Sequence, residues 1–129
     1  MRDILFRAQR TDTKEWVYGY YACAVDIHGL KQHNILVSDN SLGYFEWVDV
    51  IPETVGQYTG LKDKNENKIF EGDIVKNSKG MIGKIIYVQS FCGFCIADDN
   101  GLSSLDDTCI DIEVIGNIFD NPELLKEGD

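Results

Sequence analysis

Hydrophobic and polar positions alternate along most of the chain, in short runs separated by polar turns. Residues Ile4 to Ala8 place Ile4, Phe6 and Ala8 on one side and Leu5 and Arg7 on the other. The polar run Thr11-Asp12-Thr13-Lys14-Glu15 predicts a turn. Trp16 to Tyr21, rich in aromatic and β-branched residues, predicts the returning strand of an N-terminal hairpin. Asp26-Ile27-His28-Gly29 reads as the next turn and leads into a strand over Leu30 to Val37. Asp39 to Gly43 is a further loop signal, followed by a strand over Tyr44 to Ile51. Pro52, with no N–H to donate, stops that strand.

Val55 to Leu61 then precedes Lys62-Asp63-Lys64-Asn65-Glu66-Asn67-Lys68, the most polar stretch of the chain. Its mixed charge and lack of aromatics predict a solvated β-turn loop, with Asn65 and Asn67 suited to left-handed positions. This loop marks the natural boundary between a β-rich N-terminal subdomain, residues 1–60, and a second subdomain, residues 61–129. Beyond it, Gly72 predicts a sharp change of strand direction. Strands are expected at Met81 to Val88 and Ser90 to Ala97, with an Asn100-Gly101 hairpin turn and a last strand over Asp111 to Ile118. Asn121-Pro122-Glu123 has the signature of a helix start and predicts one short C-terminal helical turn docked through Leu124 and Leu125. About five short strands with tight turns suit a small SH3-like barrel in the later half. The near absence of amphipathic helices excludes an α/β nucleotide fold.

Composition sharpens this picture. The 129 residues include 43% hydrophobic positions and only 2 Pro, enough apolar material for a packed core. No apolar run approaches the roughly 20 residues of a membrane-spanning helix, so no membrane association is expected. The N-terminus has no long apolar stretch of the signal-peptide kind, which predicts a cytoplasmic setting. The net charge of −10 argues against general nucleic-acid binding, which depends on neutralising phosphates. That charge is unevenly placed. Residues 1–60 carry five basic and eight acidic groups, residues 61–97 six and four, and residues 98–129 one and ten. The acidic excess is therefore local to the last quarter, and the middle segment is mildly basic.

Cys92-Gly93-Phe94-Cys95 is a C-x-x-C pair, but the other candidate ligands, Cys23, Cys109, His28 and His33, are scattered. A zinc site needs four converging ligands, and a redox pair would open a helix; this one sits in a strand or strand-turn. The acidic pairs Asp98-Asp99 and Asp106-Asp107 read as solvated loop tips. No phosphate-cradling glycine loop, zinc-protease motif or nucleophile elbow occurs. The reading is therefore of a protein with no catalytic residue, no metal and no cofactor.

Four ordered segments carry a family resemblance. They are Arg2 to Ala8, Gln57-Tyr58-Thr59-Gly60-Leu61-Lys62-Asp63-Lys64-Asn65, Lys68-Ile69-Phe70-Glu71-Gly72-Asp73-Ile74-Val75, and Glu113 to Leu124. Together they resemble the YopX family of phage and prophage proteins. The chain departs modestly from that family in its central loop, where Glu66-Asn67 stands at a place the family commonly gives to Gly. The resemblance implies a mostly β protein with an SH3-like barrel in its later half, made from a phage or integrated prophage in the cytoplasm of a Gram-positive host. It implies no reaction.

The function expected is a non-catalytic protein-interaction module, acting on a host or phage protein and self-associating as a homo-oligomer. The candidate surface comprises Trp16, Tyr18, Tyr20, Trp47, Tyr58 and Asp73, with Tyr21 and Phe45 as further aromatic material. The motif residues Tyr58, Thr59 and Asp73 also have a favoured structural reading, in which Tyr58 packs and Thr59 or Asp73 bonds the backbone of a bend. Two alternatives stand beside the module. One is a nucleic-acid-associated small β-barrel that stacks bases on its aromatics. The other is an acidic mimic that occupies the basic site of a host nucleic-acid enzyme.

Overall fold

The structure, a computed structural model, describes residues 4–39, 44–105 and 111–126. The expected loop at 40–43, the acidic pair Asp106-Asp107 and Cys109 lie outside them. The chain divides into two compact units, Met1–Gln57 and Tyr58–Asp129. Both are mainly β, and every strand pair is antiparallel.

In the first unit, strands β1 (Phe6–Gln9), β2 (Trp16–Val25), β3 (Lys31–Asp39) and β4 (Tyr44–Asp49) pair in chain order. Polar side chains shape the turns. Asp12 accepts the Thr13 N–H (2.7 Å) and forms an ion pair with Arg10 (2.9 Å). Asp26 accepts the N–H groups of His28 and Leu30, and Gly29 takes the left-handed φ of 80° that closes this turn. Beyond β4, Val50 bridges back to Arg10, and the Thr54 hydroxyl of a short 3₁₀ turn accepts the Gln9 N–H (2.9 Å). The far edge of the sheet is thereby drawn toward β1. The core is Ala8, Ile35, Val48 and Val50, with Phe6, Val17, Tyr21, Val37 and Val55 packed against it. At Gly19 any Cβ would collide with the Leu36 carbonyl oxygen, so β2 lies closer to β3 there than a side chain permits.

Strand β5 (Gly56–Lys62) spans the division. Its first residues, Gly56 and Gln57, pair with β1, whereas Tyr58 and Lys62 pair with β6 (Lys68–Phe70). The second unit then carries a five-stranded sheet of β7 (Asp73–Lys76), β8 (Ile82–Val88), β9 (Gly93–Asp98), β10 (Gly101–Ser104) and β11 (Glu113–Asn117), in the order β10-β9-β8-β7-β11. Gly72, at φ 92°, makes the expected change of direction between β6 and β7. Ile69, Val75, Ile85 and Ile112 form the core. A short helix, α1 (Glu123–Lys126), follows.

Three expectations are corrected. The described strands of the second unit do not close into a barrel, because β10 and β11 are opposite edges. All four β10 residues are exposed, so the strand has no apolar face to bury against another edge. The strand expected from Ser90 begins only at Gly93, because Gln89–Phe91 is a 3₁₀ turn closed by Cys92 in the left-handed region. The left-handed residue of the central loop is Glu66 (φ 68°), not Asn65 or Asn67.

Candidate interaction surface

Strand alternation sorts the residues of β2, β3 and β4 onto two faces. Tyr21, Ile35 and Val48, aligned across the three strands, turn toward the core. Tyr20, Leu36 and Trp47, also aligned, turn away from it. Trp16 and Tyr18 share this second face on β2, as does Phe45 on β4. Tyr18 is 48% exposed, Tyr20 63%, Phe45 70% and Trp47 55%. Trp16 is half-buried, with the Arg7 guanidinium 4.7 Å from its ring centre. Arg7, placed by sequence alternation away from the core side, is itself buried. The polar groups of this face include Asn34, which donates to Asp49 (2.6 Å). The result is a row of large aromatics with little formal charge along its centre.

The chemistry available here is contact. An aromatic side chain buries about 150–250 Å² when wholly covered, and 48% to 70% of each of Tyr18, Tyr20, Phe45 and Trp47 is still exposed. At about 25 cal/mol per Å², covering the remainder of one on a partner is worth roughly 2–4 kcal/mol before the cost of association is subtracted.

The structure separates the six sequence candidates. Trp16, Tyr18, Tyr20 and Trp47 share the outward face. Tyr58 and Asp73 do not join them: they are 6% and 1% exposed, and a buried side chain makes no surface. The Tyr58 ring packs on Phe70 with centres 5.6 Å apart, and Lys68 lies 5.9 Å from it. Asp73 accepts the Phe70 N–H (2.8 Å). Thr59 donates to the Ile69 carbonyl (2.8 Å) and accepts from Leu61 (3.2 Å). These motif positions hold the β5–β6–β7 bend.

Sequence reasoning missed Asp63, which is also buried. Its carboxylate accepts the N–H groups of Asn65 (2.8 Å), Asn67 (2.9 Å) and Val114 (2.9 Å), tying the polar loop to β11. Burial opposes its ionisation, but the three donors outweigh burial and hold its pKa below the ordinary carboxylate range. The signal was legible: an Asp heading a polar loop with Asn two and four residues on is an Asx-turn pattern.

Among the described residues no three His, Cys, Asp or Glu side chains converge as metal ligands would. Cys92 is exposed in its turn and Cys95 is buried on β9. A cleft of about 190 Å³ in the second unit has Val75, Ile96 and Ile112 in its lining and Asp98 and Asp111 beside them. That is below the roughly 300–1,000 Å³ of small-molecule sites. No helix among the described residues is long and apolar enough to cross a membrane.

An all-β, two-unit chain with these motifs has known relatives. Residues 5–126 match the family model described as YopX protein, so the chain belongs to the YopX family. It is similar to the crystal structure of protein EF1440 from Enterococcus faecalis, with 26% identity and a TM-score of 0.52. The match covers 97% of this chain and 99% of that one. Comparison with curated proteins finds no match.

Proposed function

We propose that this YopX-family chain is a non-catalytic protein-interaction module whose contact surface is the outward aromatic face of β2, β3 and β4. One observation carries the reading: Tyr18, Tyr20, Phe45 and Trp47 stand 48% to 70% exposed on one side of one sheet. Isolated exposed apolar residues are ordinary, whereas a contiguous aromatic patch marks an interaction site. The partner is a host or phage protein, the setting is the cytoplasm of a bacterium carrying the phage or prophage, and the module works without a cofactor. Self-association through the same face accompanies this reading. In the second unit, the strand number and tight turns support an SH3-like arrangement left open at β10 and β11.

The decisive experiment is affinity capture from host lysate with the wild-type chain, Trp47→Ser and Tyr20→Ser in parallel. A protein retained by the wild type and lost from both variants supports the module; equal retention by all three sinks it. A second reading, the acidic mimic, draws on the carboxylate-flanked cleft and the concentration of acid in residues 98–129. It requires a basic nucleic-acid enzyme among the retained proteins, released by moderate salt and indifferent to the aromatic variants. Association with nucleic acid remains the third reading, and single-stranded DNA that fails to bind at low salt removes it.

A further inference from the structure

The core-facing side of β2 and β3 carries a group of side chains with a chemistry of its own. Cys23 and His33 are directly opposite each other in the ladder. The backbone fixes which kind of pair they form. Val50 donates its N–H to the His33 carbonyl on the β4 side, and Asp26 donates to Leu30 at the end of the β2–β3 ladder. By the alternation of antiparallel pairs, Cys23 and His33 form a non-hydrogen-bonded pair, the kind whose Cβ atoms approach most closely, at about 4.5–5.5 Å. Tyr21, on the same face, places its hydroxyl 2.6 Å from His33 Nδ1, with the two rings stacked 6.0 Å apart. Tyr21 and Cys23 are two residues apart on β2 and so share this face; burial, and then the Cys23 thiol, push the Tyr21 phenol above its ordinary pKa. Lys31, two residues from His33 and opposite Val25, adds a positive charge on the same face. Cys23 is free and exposed.

We propose that Cys23 is a site of covalent thiol modification, with Tyr21 and His33 as the groups that accept its proton and a low-molecular-weight disulfide as the co-reactant. The thiol proton passes to the Tyr21 oxygen as the phenol proton passes to His33 Nδ1, leaving a thiolate and an imidazolium on the face that also carries Lys31. The thiolate attacks one sulfur of the disulfide. The reagent's S–S bond breaks, a mixed disulfide forms on Cys23, and the departing thiolate takes up the proton held by His33. Electrons balance within this exchange: one disulfide is lost and one is gained. Thiolate character and access govern such rates, and the three described thiols differ in their neighbours and in access. Cys95 is buried, and the exposed Cys92 thiol donates to its own turn, at Gln89 O (3.6 Å).

The intact protein supplies its own control. Incubation with oxidised glutathione at neutral pH, an acid quench and peptide mass mapping read each cysteine separately. Cys23 is expected to react on the order of tenfold faster than Cys92, with Cys95 protected. Tyr21→Phe, which keeps the ring, and His33→Gln slow Cys23 several-fold and leave Cys92 unchanged. Lys31→Gln, at an exposed position, slows Cys23 less. Exposure of Cys95 would report unfolding of a variant, and Tyr21→Phe and Lys31→Gln then decide the matter. Equal rates at Cys23 and Cys92 in the wild type, or a Cys23 rate untouched by every folded variant, overturns the proposal.

Discussion

The two units place their aromatic and polar side chains in opposite ways. In the first, Tyr18, Tyr20, Phe45 and Trp47 face outward, while the buried polar groups are Arg7, Gln9 and Thr54. In the second, Tyr58 and Phe70 pack inward against each other, and the buried polar groups are carboxylates, Asp63 and Asp73, each bonded to backbone N–H groups. The first unit thus keeps large aromatic surface outside. The second uses buried carboxyl groups to hold bends in place. One leaves aromatic surface uncovered and the other packs it inward, and the two are expected to answer differently to mutation and to acid.

The largest expected effects test the two cores against each other. Ile35→Ala in the first core or Ile85→Ala in the second removes a fully buried side chain and costs about 2–5 kcal/mol. Both tryptophans, Trp16 and Trp47, belong to the first unit. Tryptophan fluorescence in a urea titration therefore reports Ile35→Ala directly, and far-UV circular dichroism reports both. Equal midpoints for Ile35→Ala and the wild type would remove the first core from the account.

Asp63→Ala comes next. It leaves N–H groups at Asn65, Asn67 and Val114 without their acceptor, at a cost of about 3 kcal/mol. Asn at the same position, which keeps one acceptor oxygen, recovers part of the loss. If Ala and Asn unfold at the same urea concentration as the wild type, the clamp has no weight.

Acid follows from the same residue. A carboxyl whose folded pKa lies below its unfolded value contributes stability that is complete above the unfolded pKa and disappears as pH falls through the folded one. Stability of the second unit is accordingly expected to decline below about pH 4, the ordinary carboxylate value. Asp63→Asn flattens that decline. A variant with the wild-type acid profile would show that another group carries it.

The smallest stability effect belongs to the outward face. Tyr20→Ser and Trp47→Ser are expected to change the unfolding free energy read from a urea titration by about 0.5 kcal/mol or less, since surface changes rarely cost more. Self-association, read by light scattering at high micromolar concentration, falls with the same substitutions. A wild-type chain that scatters only as a 14.6 kDa species breaks the self-association part of the proposal.

Much of this was legible in the sequence because it was local. The turns at Asp12 and Asp26, the change of direction at Gly72 and the short helix after Asn121 all follow from side chains acting on their own backbone. The family motifs led to the correct family. What escaped was set by partners distant along the chain. Arg7 is buried beside Trp16, which no alternation rule shows. Tyr58 and Asp73 read equally as surface or scaffold until the bend around Phe70 is seen. Asp63 draws one of its three donors from Val114, far away in the chain, so its full role needed the fold. The barrel is an expectation from strand count and from the family resemblance, but closure depends on which edges meet, and β10 lacks the apolar face that would make them meet.

The tight approach at Gly19 has a consequence for how faithfully the protein folds. A slip of one residue between β2 and β3 would bring Tyr18 or Tyr20 to the place where even a methyl group meets the Leu36 carbonyl. The same slip would turn every outward aromatic of β2 inward. A single missing side chain thus acts as a key, admitting one register and barring its neighbours, so that the side of the sheet on which the aromatics stand is chosen as the hairpin pairs.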